Sequence, residues 1–180
     1  MRNFHNKPSI GDKKFLLAFI ITLLCSIICG IVLYKPANSN PYLCDFAEEY
    51  VFFVFNFNNA SLLVTRILSD LIYLYVIFAI SYFTKFKYLS LILIFLRGLF
   101  FGVYVALLIG VSSFSGTVVA IFVYIPASLI SFVFCYLVAD FCSVVYKKYA
   151  LLMPLVLSVI NLIIYALLIN VLFRIIIMIV

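Results

Sequence analysis

Residues 15–34 read FLLAFIITLLCSIICGIVLY, twenty positions without a charge. Coiled as a helix at ~1.5 Å per residue, such a run covers the roughly 30 Å of hydrocarbon in a bilayer. The pattern then recurs, with apolar runs at about residues 67–83, 89–111, 117–141 and 151–173. Across 180 residues, 68% are apolar and 10% charged, whereas soluble domains sit near half apolar and about a quarter charged. A soluble globule is excluded. The expected fold is an all-α integral membrane protein, one domain over residues 1–180 built as a bundle of five transmembrane helices. The first run is too long for the apolar region of a secretory signal, and the following KPANSN lacks a small-residue cleavage site. An uncleaved anchor is expected there.

The net charge of +6 is spread in a way that orients membrane segments. Arg2, Lys7, Lys13 and Lys14 precede the first run, Lys85 and Lys87 lie between the second and third, and Lys147 and Lys148 between the fourth and fifth. Placing these on the cytoplasmic side leaves only Lys35, Arg66 and Arg174 outside, so the N-terminus is expected inside and the C-terminus outside. Charges so placed do not build a basic face, and no nucleic acid is expected as a partner. The implied location is a membrane, crossed several times. The short connections SYFTKFKYLS, SSFSG and SVVYKKYA make consecutive helices antiparallel neighbours.

Five cysteines form no metal-binding spacing, and His5 is the single histidine. Cys25, Cys29, Cys135 and Cys142 read as small apolar packing residues. No Ser/His/Asp or Cys/His set, phosphate-binding glycine loop or group of intramembrane carboxylates is evident. Neither an enzyme nor a bound cofactor is expected.

The outer loop, residues 35–66, starts with the polar KPANSNP and continues as CDFAEEYVFFVFNFNN. Phe46, Tyr50, Phe53 and Phe57 fall at helical steps and are expected to form one face of an interfacial helix, turned toward lipid or the bundle. Asp45, Glu49 and Asn56 lie on a neighbouring face, and Glu48, Phe52 and Phe55 widen the outward side. An aromatic belt that anchors the protein is one reading. A docking surface for an extracytoplasmic partner is the other.

Arg97 stands eight residues into the third run. A charge at the centre of a bilayer costs at least ~2.5–3.5 kcal/mol on insertion scales unless it is paired or reaches the interface. Asp140, near the inner end of the fourth span, is the expected partner, while Asp70 has Arg66 four residues before it as a local one. If residues 89–96 re-enter instead of crossing, Arg97 sits at the inner interface beside Lys85 and Lys87. The neighbouring Gly98, Gly102, Ala106 and Gly110 repeat every four residues, a stripe that lets another backbone approach closely. It serves either a seam within the bundle or another protein's helix. Gly116 opens the fourth span and Pro126 interrupts it, with Ser128 and Ser131 placed to satisfy the freed backbone. Pro154 fits the first turn of the last helix, and Asn161 and Asn170 read as separate interhelical hydrogen bonds.

Arg97-Gly98, Gly102, the Gly116 turn and Pro126, within residues 89–140, resemble the stage II sporulation protein M family, as does the order of five spans with a large outer loop after the first. Where that family often has Gln-Asn after the proline, this chain has Ala127-Ser128. The resemblance implies a non-enzymatic scaffold in the bacterial cytoplasmic membrane that holds cell-wall hydrolases and their membrane partner during engulfment. The contrasting expectation is a small transporter or channel component, with Arg97 lining a polar cavity.

Overall fold

The structure is a computed structural model and describes residues 13–56, 60–83, 87–111, 113–141 and 151–179. Among these residues the ordered elements are all helical. α1 spans Lys13–Val32, α2 Tyr34–Asn38, α3 Pro41–Asn56 and α4 Ala60–Phe83. A 3-10 turn at Lys87–Leu89 leads into α5, Ser90–Val111. α6, Ser113–Val119, passes through a π turn at Ala120–Tyr124 into α7, Ile125–Phe141, and α8 spans Met153–Ile179.

Among the described residues four helical stretches are long and apolar enough to cross a membrane: α1, α5, the continuous Phe114–Asp140, and Met153–Val171 of α8. Within α4 the apolar stretch among the described residues is shorter, Leu68–Tyr82. Many large apolar side chains of the long helices point away from the bundle, among them Leu17, Ile28, Ile92, Phe100 and Leu167. A surface this apolar is a liability in water and is satisfied by lipid. The protein is membrane-embedded.

Contacts give the helix directions. Ser26 faces Gly98, Gly30 faces Gly102 and Tyr34 faces Gly110, so α1 and α5 run parallel. Tyr73 meets Leu93 while Asp70 meets Arg97, so α4 and α5 run antiparallel. Phe101 packs on Phe132 and Tyr104 on Tyr124, which makes α7 and its π turn antiparallel to α5. Asp70 bonds Asn161 and Tyr75 bonds Leu151, so α8 is antiparallel to α4. α5 is one unbroken helix with no re-entrant break before Arg97.

The expected outer loop is itself helical over most of its length, and α4 begins seven residues before the expected span. The buried stripe of α3 is Ala47, Tyr50, Val51 and Val54, spaced as one helix face. Of the expected face Phe46, Tyr50, Phe53 and Phe57, Tyr50 is buried, and Phe46 is half exposed with its ring against Tyr104 at 5.8 Å between centroids. Phe57 and the side chains of Phe53, Phe55 and Arg66 lie outside what is described. Ala47 and the two valines let the helix sit close, and Tyr50 reaches inward. Tyr50 packs against Tyr104 and Tyr124, and the Tyr165 hydroxyl donates to the Tyr50 hydroxyl at 2.7 Å. Tyr104 is seven residues before the end of α5, so Tyr50 reaches about 10 Å below that end of the bundle.

Pro126 carries no N–H and its ring would strike the carbonyl one turn back. The helix widens just before it. Ile125 N–H donates to the Ala120 carbonyl, five residues earlier, as in a π turn. The widened turn also stacks Tyr124 on Phe101 with centroids 5.6 Å apart. Pro154 stands in the first turn of α8 and is fully buried.

Candidate functional site: a buried polar node beside a small-residue seam

α5 presents two unlike faces. The first is the seam with α1. A Cβ added to Gly102 would strike the Ile27 carbonyl oxygen and lie 3.1 Å from Gly30 Cα. One added to Gly30 would strike the Leu99 carbonyl oxygen and lie 2.9 Å from Val103 N. These neighbours are backbone and cannot rotate away. At Gly98 and Gly110 the obstacles are instead the side chains of Ser26 and Tyr34. Ala106 is half-buried. The glycines are therefore spent within the chain, and the stripe closes an intramolecular seam. Gly116 is buried near the start of α6.

The second face carries Arg97. Its Nη2 donates to Asp70 Oδ1 on α4 and, at 2.6 Å, to Ser131 Oγ on α7. Its Nη1 lies 3.8 Å from Cys135 Sγ, and its guanidinium carbon sits 4.6 Å from the centre of the Tyr73 ring. Ser131 Oγ in turn lies 3.5 Å from Asp70 Oδ1, as a donor. Asn161 Nδ2 on α8 donates to Asp70 Oδ2 at 2.7 Å. Tyr73 completes the set by donating its hydroxyl to the Leu93 carbonyl. Four helices thus converge on one ion pair whose side chains are only 18% and 10% exposed.

This corrects the expected pairing of Arg97 with Asp140. α7 is level with Arg97 at Ser131, and Asp140 is nine residues farther along, about 13 Å down the helix. Asp140 is buried at the end of α7 with interactions of its own. Asp70 was expected near the membrane surface beside Arg66, but α4 starts at Ala60, which puts ten residues of helix before it. Ser131 was expected to serve the backbone freed by Pro126, and it serves the ion pair instead.

Sequence reasoning missed Asp70, Tyr73, Ser131 and Asn161 as one set. A signal for the first two was present. With the α4–α5 connection at residues 84–86, Tyr73 is eleven residues before it and Arg97 eleven after, so an antiparallel hairpin sets them opposite each other. Asp70 is one turn farther on the same face. Asn170, unlike Asn161, is exposed. Cys25 and Cys29 are on the exposed side of α1, whereas Cys135 is buried.

The arrangement neutralises a charge. Removing two ions from water costs several kcal/mol each, and close pairing with further hydrogen bonds offsets that cost. Arg97 and Asp70 cancel, and Asp70 accepts further hydrogen bonds from α7 and α8. Among the described residues no group of His, Cys, Asp and Glu is placed to hold a metal. No family model matches this chain, and no characterised protein or solved structure matches it significantly.

Proposed function

We propose that the protein is a five-span membrane scaffold, with the N-terminus inside and α4 as its second crossing, that presents α3 to extracytoplasmic partners. The seating of α3 carries this reading. One stripe of that helix is fixed into the bundle through Ala47, Tyr50, Val51 and Val54. The opposite side exposes Tyr42, Asp45, Glu48, Glu49 and Phe52, which share a face by their spacing. Such a helix is held rigidly and still offers aromatic and acidic groups to a partner. The helix directions and the positive residues support the crossing count and the orientation. The narrower reading, with cell-wall hydrolases and their membrane partner as the captured proteins, rests on the resemblance of residues 89–140.

Transport is the second reading, favoured by one observation: a polar node lies in the middle of the bundle. Its charges are balanced within the chain, which argues for a structural tie over a site that waits for an ion. A photo-crosslinker at Phe52, used in native membranes, tests the scaffold. Capture of cell-wall hydrolases supports it. Recovery of a nucleotide-binding ATPase alone, with substrate flux abolished by Arg97→Ala, overturns it in favour of transport.

A further inference from the structure

The polar node is closed except at one atom. Asn161 is 3% exposed and its Nδ2 is committed to Asp70 Oδ2 at 2.7 Å. Its Oδ1 is buried without a hydrogen-bond donor among the described residues. A carbonyl left unmet in such surroundings bears its full desolvation penalty, so an occupant that donates to it is favoured.

The chemistry of that occupant follows from the neighbours. Oδ1 and Nδ2 belong to one amide, so Oδ1 lies within about 5 Å of Asp70 Oδ2, under twice a normal hydrogen-bond length. Both atoms are acceptors. A single group can bridge them by supplying two donors or by carrying positive charge. Arg97 already balances Asp70, so a cation would leave the apolar interior with an uncompensated charge, at a cost of several kcal/mol. A water molecule is neutral and brings two O–H donors, which meets the minimum of about two polar partners that buried waters require.

We propose that a water molecule is bound between Asn161 Oδ1 and Asp70 Oδ2, making the meeting of α4 and α8 a hydrated joint at the heart of the bundle. The water donates one proton to each acceptor, so every polar atom of the joint is satisfied. The site rests on the orphaned carbonyl and the carboxylate beside it, and it stands whichever partner the protein holds.

Water-edited solid-state NMR on the full-length chain in lipid bilayers tests this. Labelling backbone and asparagine side-chain nitrogens together with aspartate carboxyl carbons identifies the Asn161 amide by its transfer to the Asp70 carboxyl, without a variant. The expected result is fast polarisation of that amide from water, close to the rate at exposed Asn38 and well above that at the buried Ile94 backbone. A rate no faster than at Ile94 means a dry joint and overturns the proposal. Melting temperature is then compared in sodium, ammonium and N-methylglucamine chlorides at equal ionic strength. Equal values are expected, and a rise specific to sodium or ammonium overturns the proposal by showing a cation in the water's place.

Discussion

The two faces of α5 hold the same helix by opposite means. Toward α1 the contact is made by what is missing: Gly30 and Gly102 bring two backbones together, with no charge and almost no side chain between them. Toward α4, α7 and α8 the contact is made by what is present, a guanidinium, a carboxylate, a hydroxyl and an amide in mutual hydrogen bonds. Lipid removes the hydrophobic drive between helices, so close packing and polar ties carry the association. The difference lies in tolerance. A steric seam has no substitute for glycine where the obstacle is backbone, whereas an ion pair can be replaced as a pair.

The largest effect is expected where that contrast is sharpest. Asp70→Ala leaves Arg97 buried without its counter-charge and should cost about 3–5 kcal/mol, read as a lower unfolding midpoint in detergent. Asp70→Leu combined with Arg97→Met should recover most of that loss. Failure of the double variant would mean that the node does more than neutralise charge. Next comes Gly102→Ala, expected to cost about 1–3 kcal/mol by overpacking. Gly98→Ala should cost less in the same assay, and adding Ser26→Gly should relieve it, because the obstacles are the Oγ and Cβ of the Ser26 side chain. Equal costs at Gly98 and Gly102 would break the distinction between side-chain and backbone obstacles.

Smaller still is Asn161→Ala, which removes one interhelical bond and the orphaned carbonyl together. About 0.6–1.7 kcal/mol is expected, the range of such bonds in membranes. At the bottom is Phe52→Ala. Its side chain is 69% exposed, so stability should stay within about 0.5 kcal/mol, while partner capture in native membranes falls. A loss of stability in this variant would show that α3 uses Phe52 for its own seating.

The seam was legible in the sequence because it depends on a period: residues four apart on one helix share a face wherever the helix goes. Its partner was not, since Ser26 and Gly30 are some seventy residues away and nothing local in α1 marks them as counterparts of Gly98 and Gly102. The node failed for a related reason. Reading α4 from its apolar stretch placed Asp70 near a membrane surface, but the helix starts at Ala60 and carries polar residues through its first turns. Hydropathy reports where a helix is greasy, which is not where it begins. In α3, spacing indicated the helix and an aromatic face turned toward lipid or the bundle, but not that Ala47 and the two valines would join Tyr50 in the buried stripe.

The parallel pairing of α1 with α5 has a consequence for synthesis. A nascent chain that has inserted α1 has no glycine surface to dock it on until Gly98 and Gly102 have also been made. On the five-span reading proposed above, α4 is inserted in the interval and carries Asp70 into the bilayer before Arg97 arrives. The unpaired carboxylate and the undocked first helix are both resolved when α5 enters. One insertion event therefore completes two contacts, and a ribosome stalled before residue 97 holds a chain with neither.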